Sequence, residues 1–464
     1  MKLDVLAAEI GSTTTVINGF WIGEDACFAG SGQAPTTVLD GDVNIGLTNA
    51  IDDLKRNLGT DELLYDELIA TSSAAGGLKM TVHGLVYDMT VNAAKEAALG
   101  AGANIHMITA GKLRKTDLAK IEEIGPNIIL IAGGVDYGEC ETALYNAEEI
   151  AKLKLNVPVI YAGNIQNRDE IELIFNGTGT KVYLVENVYP RIDQLNVEPT
   201  RKVIQEVFEE HITHAPGMAK VRDMVKGNII PTPAGVMEAT KLLAELLGDV
   251  ITVDIGGATT DIHSVTTGSE EISRILIAPE PTAKRTVEGD LGVFVNVQNI
   301  IELATKDWLA KTLGLAVCEL DELIDSHKPI PKTKLERAFV ERLASVACRT
   351  AIERHAGDLI HMYSTSGRKK AARGKDLTAV KYIAGTGGVL TKLPGRLDIL
   401  KSIISVPNGT KLLPNSDATL LIDNHYIMAS IGVMSKTHPV ESMEFLRQSL
   451  RVDAIIPEEN QHLI

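Results

Sequence analysis

Val250-Ile-Thr-Val-Asp-Ile-Gly-Gly-Ala-Thr-Thr-Asp-Ile262 is the stretch on which the fold prediction rests. An earlier stretch, Val5-Leu-Ala-Ala-Glu-Ile-Gly-Ser-Thr-Thr-Thr-Val-Ile17, aligns with it at six of 13 positions, and Glu9 corresponds to Asp254. Each stretch has the pattern of a β-hairpin: an apolar strand, an acid, a glycine-containing turn and a second strand. Chance similarity between two buried hairpins is the alternative. The shared acid-x-Gly-x-x-Thr-Thr order, repeated after 245 residues, favours a two-fold internal repeat.

Length and composition limit the class of protein. The 464 residues suggest two or three domains, and 45% hydrophobic with 23% charged residues is typical of a folded chain. Aromatic residues make up only 4%, so the core is built mainly from Ala, Val, Ile and Leu, as in α/β proteins with buried sheets. The formal net charge of −16 argues against a nucleic-acid partner.

Targeting segments and cysteine spacing indicate the compartment. No apolar run approaches the roughly 18 residues of a membrane helix, and the N-terminus lacks the apolar region of a signal peptide. We therefore expect a cytoplasmic protein without a membrane partner. The cysteines Cys27, Cys140, Cys318 and Cys348 lie far apart, which predicts neither a disulfide framework nor a zinc knuckle.

Predicted strands and helices alternate between the two repeats, which indicates a βα-repeating module at about 78–195. Farther along, Thr232-Pro233 predicts the start of a helix that ends at Gly248. A basic segment at 367–375 is either a solvated loop or a contact for an acidic partner or a phosphate. The predicted helices are 91–100, 115–124, 141–153, 168–175, 298–313 and 334–356, and the predicted strands are 67–71, 105–110, 127–132, 159–162, 181–186 and 380–384.

Three glycine-rich elements predict a site for phosphates and a nucleoside. They are Glu9-Ile-Gly-Ser-Thr-Thr-Thr15, Asp254-Ile-Gly-Gly-Ala-Thr-Thr-Asp261 and Ile383-Ala-Gly-Thr-Gly-Gly-Val389. Turn N–H groups and hydroxyls donate to phosphate oxygens, and glycine lets a nucleoside lie against the backbone. The candidate nucleotide-binding residues are Gly11, Ser12, Thr13, Thr14, Gly256, Gly257, Thr259, Thr260, Gly385, Gly387 and Gly388.

Glu9 and Asp254 are the candidate catalytic and metal-binding residues. Two carboxylates at the ends of facing strands can hold the hydration shell of Mg²⁺, which keeps several of its waters. They can also orient the water that attacks a γ-phosphate. The sequence therefore predicts an Mg²⁺ site that Glu9 and Asp254 hold through water.

The three elements together resemble the phosphate-1, phosphate-2 and adenosine motifs of the actin, Hsp70 and sugar-kinase ATPase superfamily, and Ala429-Ser-Ile-Gly432 resembles its second connecting helix. The resemblance implies an α/β fold of two ribonuclease-H-like lobes that close on Mg-ATP. Residues 1–77 and 196–248 would form the first lobe, 78–195 an inserted segment, and 249–464 the second lobe. Lys284 and Arg285, at the start of a predicted helix, would approach the adenine or ribose, with an exposed basic pair as the alternative. Glu9 departs from the superfamily, which usually has Asp there, so metal coordination is expected more of Asp254.

Further stretches resemble one family, the glutamate mutase (methylaspartate mutase) accessory proteins, often called MutL or GlmL, over essentially the whole chain. This resemblance implies an ATP-driven reactivating chaperone, with ATP or ADP and Mg²⁺ as cofactors, that serves the subunits of an adenosylcobalamin-dependent mutase. No Asp-x-His-x-x-Gly occurs, so we expect no cobalamin bound through that motif. The stretches are Ser72-Ser-Ala-Ala-Gly-Gly-Leu-Lys-Met-Thr-Val-His-Gly-Leu-Val86, Ala93-Ala-Lys-Glu-Ala-Ala-Leu-Gly-Ala-Gly-Ala103, Ile131-Ala-Gly-Gly-Val-Asp136, Lys284-Arg-Thr-Val-Glu-Gly-Asp-Leu-Gly292, Arg354-His-Ala-Gly357 and Gly374-Lys-Asp-Leu-Thr-Ala-Val-Lys-Tyr382.

Two other functions share this fold. A small-molecule kinase would need a general base and an acceptor pocket in addition to Asp254. An ATP-dependent electron-transfer activator would need cysteines that bridge an iron–sulfur cluster, and Cys318 and Cys348 are the only pair in the second half of the chain. Both remain as alternatives.

Overall fold

A computed structural model describes residues 1–11, 13–37, 41–73, 78–212, 217–364, 367–404 and 409–454. Ser12, predicted to bind nucleotide, lies outside the described residues. The strands are β1 (Lys2–Ile10), β2 (Thr14–Trp21), β3 (Cys27–Pro35), β4 (Leu64–Ser72), β5 (Lys79–Gly84), β6 (Asn104–Ala110), β7 (Ile128–Ile131), β8 (Val159–Tyr161), β9 (Val182–Leu184), β10 (Ile230–Pro231), β11 (Val250–Ile255), β12 (Thr260–Val265), β13 (Ala283–Glu288), β14 (Asp358–Ser364), β15 (Gly367–Arg373), β16 (Tyr382–Thr386) and β17 (Thr419–Ile422).

The α-helices are α1 (Val43–Leu58), α2 (Asn92–Gly100), α3 (Lys115–Ile124), α4 (Glu141–Leu153), α5 (Arg168–Phe175), α6 (Glu198–Ile212), α7 (Met218–Met224), α8 (Thr232–Leu247), α9 (Glu270–Ser273), α10 (Val297–Ala304), α11 (Lys306–Leu313), α12 (Val317–Asp325), α13 (Lys334–His355), α14 (Gly387–Lys392), α15 (Arg396–Ile404), α16 (Met428–Met434) and α17 (Pro439–Leu450). None of the helices in these ranges combines the length and apolar character needed to span a bilayer.

Two five-stranded sheets share one topology. The strand order is β3-β2-β1-β4-β10 in the N-terminal sheet and β13-β12-β11-β16-β17 in the C-terminal sheet. In each, the first three strands along the chain pair antiparallel, and the last two add on parallel to the first. This is the 3-2-1-4-5 order of a ribonuclease-H-like domain, found twice. The predicted repeat and the two-lobed actin/Hsp70-like α/β fold are therefore confirmed.

The middle sheet belongs to the inserted segment and consists of parallel strands in the order β6-β5-β7-β8-β9. Ile128 and Leu130 share a core with α2 and α6, whereas Ile129 and Ile131 share another with α3, α4 and α5. Since alternate strand residues face opposite sides, helices cover both faces. The predicted βα alternation is confirmed, and α3, α4 and α5 have the predicted bounds. The domain boundaries themselves stay a prediction.

A further core lies between the N-terminal and C-terminal sheets. It joins Val5 and Ile69 of the first to Val250 of the second through apolar residues of α8, α16 and α17. Helices α8 and α16 cross so closely that a Cβ on Gly432 would lie 1.8 Å from the Gly235 carbonyl oxygen. The two sheets are therefore joined by a tight helix crossing, of which the stretch that resembles a connecting helix forms one half.

Three local predictions are wrong. The helix predicted at 298–313 is two helices, because Thr305 adopts φ +69° and its hydroxyl accepts a hydrogen bond from Trp308 N at 3.4 Å. The basic segment at 367–375 is mostly strand β15, which pairs with β14. Lys284 and Arg285, predicted at the start of a helix, lie on β13 and are buried, so they are not an exposed pair either.

Candidate functional site

A cavity of about 500 Å³ lies between the N-terminal and C-terminal sheets and is lined by both hairpin turns. Residues from all three glycine-rich elements reach it. Thr260, Gly385, Gly387, Lys284 and Arg285 do not line it. The predicted site residues that do are Glu9, Gly11, Thr13, Thr14, Asp254, Gly256, Gly257, Thr259 and Gly388.

The two hairpin turns have matching backbone geometry. Gly11 N donates to Thr14 O at 3.0 Å, and Gly256 N donates to Thr259 O at 2.9 Å. Each acidic residue occupies the last position but one of its strand, immediately before the turn. The two carboxylates therefore reach the cavity from equivalent positions of the two sheets.

Burial and neighbouring negative charges favour the protonated forms of both carboxyl groups. The pKa of Glu9 is raised to about 8, first by burial and then by the charges of Asp254 and Asp423. The pKa of Asp254 is raised to about 7, first by burial and then by Asp261, while Arg285 opposes the shift. A carboxyl group with a pKa near neutrality is suited to proton transfer at physiological pH.

Asp423 is a buried carboxylate just after β17 that stays fully hydrogen-bonded. It accepts from Thr386 Oγ1 at 2.9 Å and from Ser449 Oγ at 2.6 Å. The backbone N–H groups of Ile427 and Met428 donate to it at 2.9 and 3.0 Å. These bonds stabilise its negative charge, which acts on Glu9 and Asp254 without Asp423 entering the cavity.

Glu9 and Asp254, one from each sheet, fit a hydrated Mg²⁺ ion. Glu9 is only 6% exposed, and its Oε2 has no hydrogen-bond partner among the described residues. A buried, unpaired carboxylate oxygen is costly unless a cation or water satisfies it. Within the described ranges no three His, Cys, Asp or Glu side chains converge as metal ligands. An ion held by Glu9 and Asp254 would therefore keep several waters, as Mg²⁺ does.

The third glycine-rich element packs against Asp254 and Ile255 and also lines the cavity. Gly387 has φ +84°, and a Cβ there would lie 2.4 Å from Asp254 Oδ1 and 2.6 Å from the Ile255 carbonyl oxygen. Only glycine allows this close approach. Gly388 faces the open cavity, with no atom of the described residues within 4 Å of an added Cβ, whereas Gly385 is packed against Leu400.

Part of the cavity lining was not predicted from the sequence. Phe294, Val340 and Leu393 provide apolar walls, and Arg337 and Lys392 provide positive charge. These residues come from the turn before α10, from α13 and from the end of α14, and they form no single local pattern in the sequence. The arrangement suits a flat heterocycle with polar substituents.

Asp261 and Tyr426 are also cavity residues that were not predicted as site residues. Asp261 was visible as the last residue of the second glycine-rich element, and its pairing opposite Asp254 on β12 is the signal that could have identified it. Tyr426 had no such signal. It adopts φ +57° in the turn after β17, and burial raises the pKa of its hydroxyl well above the ordinary value.

Lys284 and Arg285 do not line the cavity and form buried contacts with the inserted segment. Arg285 Nε donates to Asp261 Oδ1 at 2.9 Å, and Arg285 Nη1 donates to the Leu99 carbonyl oxygen at 3.0 Å. Lys284 Nζ pairs with Glu280 at 2.6 Å. Both positive charges are therefore paired with carboxylates of the protein.

Solved structures of known proteins are similar to this chain at low sequence identity. Among solved structures, acetone carboxylase without nucleotide is 13% identical, covering 93% of this chain and 70% of that chain, with a TM-score of 0.41. The nucleotide-free diol dehydratase-reactivating factor is 12% identical, covering 95% and 100%, with a TM-score of 0.34. The fold assignment rests on strand order and not on these two structures.

Sequence comparison is decisive for the family. The family described as "MutL protein" matches residues 5–450. Protein MutL of Clostridium tetanomorphum is 35% identical over 460 residues, which cover 96% of this chain and 98% of that protein. The chain therefore belongs to the MutL protein family, the family that its motifs indicated.

Proposed function

We propose that this protein binds and hydrolyses Mg-ATP in the cavity and acts as a reactivating chaperone of an adenosylcobalamin-dependent glutamate mutase. The observation that carries the ATPase part is the convergence of three separate glycine-rich elements on one cavity, with one carboxylate from each sheet beside them. Convergence of this kind is expected when a ligand has several phosphates and a nucleoside. The accessory role rests on family membership.

The chain offers distinct groups for each part of the reaction. Hydroxyls of Thr13 and Thr14 and turn N–H groups can donate to phosphate oxygens, whereas the Thr259 hydroxyl donates to Asp261 Oδ2 at 2.8 Å. Mg²⁺, when bound, supplies positive charge that stabilises the phosphoryl groups in the transition state. Asp254, with a pKa near 7, orients the attacking water and accepts its proton. The apolar side chains of Phe294, Val340 and Leu393 exclude water from the nucleoside.

The partner is argued from what a radical mutase needs. Such enzymes lose the adenosyl group and retain an inactive cobalamin, whose release requires distortion of the enzyme. A two-lobed ATPase supplies a conformational cycle gated by the γ-phosphate. We propose that the inserted segment docks the mutase. The candidate contact residues are Tyr137, Ile165 and Ile192, which are exposed and apolar and lie after β7, β8 and β9.

A small-molecule kinase is the second candidate because a side cavity of about 120 Å³ adjoins the main one and shares Gln33, Lys392 and Tyr426 with it. Among its lining residues Asp53 is the sole carboxylate. Gln33 N donates to this carboxylate at 2.9 Å, and that bond lowers the pKa of Asp53. A lowered pKa makes Asp53 a weak general base, which disfavours the kinase.

The electron-transfer alternative has less support. Cys318 is exposed, whereas Cys348 is buried on α13. Burial raises the pKa of the Cys348 thiol to about 12, so the thiol stays protonated, unlike a ligand of an iron–sulfur cluster.

The test is reactivation of a mutase inactivated with a cobalamin that lacks its adenosyl group. Activity should return when fresh adenosylcobalamin, Mg-ATP and this protein are added. It should not return with Asp254→Asn, or when a non-hydrolysable analogue replaces ATP. Tyr137→Ser with Ile192→Ser should keep ATPase activity and lose reactivation, because only the docking surface is changed.

The outcomes separate the candidates. Recovery without nucleotide would contradict the ATP-driven role. Rapid phosphorylation of a small metabolite, with no effect on the mutase, would favour the kinase.

A further inference from the structure

Arg285 connects the cavity wall to the inserted segment through one buried side chain. It is 1% exposed and lies on β13 of the C-terminal sheet. Its Nε and Nη2 reach Asp261 Oδ1 at 2.9 and 2.6 Å, and its Nη1 donates to the Leu99 carbonyl oxygen at 3.0 Å. Leu99 belongs to the last turn of α2, the first helix of the inserted segment.

The other side of Asp261 faces the proposed phosphate site. Thr259 Oγ1 donates to Asp261 Oδ2 at 2.8 Å, and both residues line the cavity. Asp261 is also the register partner of Asp254. A continuous chain of contacts therefore runs from Thr259 through Asp261 and Arg285 to Leu99.

The end of α2 is a favourable place for a guanidinium. The helix dipole favours a cation at a helix C-terminus. The Leu99 carbonyl oxygen already accepts from Gly102 N at 3.0 Å, and its second lone pair accepts from Arg285. A planar guanidinium can hold a carboxylate and a carbonyl at fixed directions at the same time, which a lysine ammonium on a flexible stem does less well.

Other contacts hold α2 against β13 without touching Asp261. Lys284 pairs with Glu96 of α2 at 3.3 Å. Arg201 of α6 donates to the Ala283 carbonyl oxygen at 2.9 Å, and a Cβ on Gly100 would lie 2.2 Å from Arg201 Nε. Arg285 thus differs from its neighbours because it contacts both α2 and a residue of the cavity.

We propose that Arg285 is a positioning residue that couples nucleotide occupancy of the cavity to the seating of the inserted segment on the C-terminal sheet. Charge placed beside Asp261 changes how strongly Asp261 holds Arg285, since charges interact strongly where water is excluded. The guanidinium transmits that change to the end of α2. The inference rests on the proposed Mg-ATP site and adds the route by which that site acts on the partner-binding segment.

The test combines hydrogen exchange with calorimetry on the full chain. In the unmodified protein, Mg-ADP should change amide exchange rates in α2 by at least about fivefold, the lower end of ordinary coupling between two sites. Arg285→Lys should still bind Mg-ADP by calorimetry, and exchange at the 254–261 hairpin should still respond. The response at α2 should be lost. Arg201→Lys is the matched control, because it changes the same contact but leaves Asp261 held, and its α2 response should remain.

If Arg285 had only a structural role, Arg285→Lys would not remove the α2 response while keeping Mg-ADP binding and the response of the 254–261 hairpin. An α2 response that persists in Arg285→Lys overturns the proposal, as does Mg-ADP binding without any α2 response in the unmodified protein. Absence of Mg-ADP binding to the unmodified protein contradicts the proposed function itself. Arg285→Gln, which keeps a donor toward Asp261, is the second variant if Arg285→Lys does not fold.

Discussion

Glu9 and Asp254 are related by the internal repeat, yet their electrostatic environments differ. Burial and neighbouring carboxylates raise the pKa of Glu9 to about 8 and that of Asp254 to about 7. Of the two, Asp254 has a nearby cation, Arg285, that opposes the rise and favours the ionised form. Asp254 is therefore the better candidate for accepting a proton, whereas Glu9 would gain its charge chiefly when a cation binds beside it.

This difference predicts unequal effects of neutralising the two acids. Asp254→Asn should lower the rate of ATP hydrolysis by roughly 10²-fold or more, the usual cost of losing an acid–base group, while nucleotide still binds. Glu9→Gln should lower it less, because Asp254 and not Glu9 is the proposed acceptor of the proton of the attacking water. Phosphate release measures both, and Asp66→Asn, an exposed change on the same sheet, is the control. A larger loss for Glu9→Gln would reverse the assigned roles.

The raised pKa values also predict how stability depends on pH. The folded state binds these two protons more tightly than the unfolded state, so both groups contribute most stability where they are protonated. That contribution to the free energy of unfolding of the metal-free protein should be lost as the pH rises from about 5 through about 8. Below about pH 6.5 it is opposed by the buried His83, His263 and His355, whose lowered pKa values make stability rise with pH, so the net fall is expected between about pH 7 and 8. Urea denaturation across this range measures it.

Glu9→Gln should flatten the upper part of that pH profile, and Mg²⁺ with nucleotide should offset the loss above pH 7, because the metal needs ionised carboxylates. A Glu9→Gln profile that stays parallel to that of the unmodified protein above pH 7 would contradict the assigned environment of Glu9.

Gly388 provides a test of the nucleoside site that does not disturb the fold. An added methyl group meets no atom within 4 Å but projects into the cavity. Gly388→Ala should therefore weaken ATP binding by about tenfold or more, as one misplaced methyl group in a binding pocket does. Calorimetry measures this, and Gly289→Ala, equally free of contacts but outside the cavity lining, should bind as the unmodified protein does. Equal affinity of the two variants would place the nucleoside elsewhere.

Most of the cavity hairpins could be predicted from residue types because their order is local. A turn needs its glycine and its acid at a fixed spacing, so Glu9 and Asp254 were visible as a pair. Arg285 was not correctly placed, since its position depends on the pairing of β12 with β13 and on contact with Leu99. The walls around Phe294 come from distant parts of the chain and were missed for the same reason.

At the scale of elements, helices were predicted best where their ends carry local signals. Gly248 ends α8 with φ +85°, as predicted. The break between α10 and α11 was missed because Thr305 in a left-handed conformation has no pattern of its own. The sequence predicts a loop at β15 because its consecutive basic residues 368–370 are all exposed and show no alternation, and pairing with β14 is what makes the segment a strand.

The crossing of α8 and α16 predicts a cost that opposes helix propensity. Alanine is favoured over glycine inside a helix by about 1 kcal/mol. In Gly432→Ala, however, the new Cβ would overlap the Gly235 carbonyl oxygen, and the helices must move apart. We expect a net loss of about 1–3 kcal/mol in the free energy of unfolding by urea denaturation. Gly388→Ala, in a helix with open space, should show no such loss, and equal stability of the two variants would mean that the crossing adapts.

At the scale of the molecule, the duplicated sheets form the cavity, and its proposed use depends on the inserted segment. The ribonuclease-H-like pair is shared by proteins with unrelated tasks, so it does not choose a partner. The middle sheet, with helices on both faces, is what the chain adds to that pair. Arg285 joins the two parts, because it contacts Asp261 of the 254–261 hairpin and Leu99 of the inserted segment.

If the inserted segment docks the mutase and the cavity binds nucleotide, the two affinities must be linked. Mg-ADP should change the affinity for the mutase by the same factor by which the mutase changes the affinity for Mg-ADP, because both complete one thermodynamic cycle. We expect a factor of about 5–150, the usual range for coupled sites. Titration of each ligand with and without saturating amounts of the other gives both ratios. In Arg285→Lys both should approach one, while each ligand alone still binds, and ratios that stay at one in the unmodified protein would mean that nucleotide does not control docking.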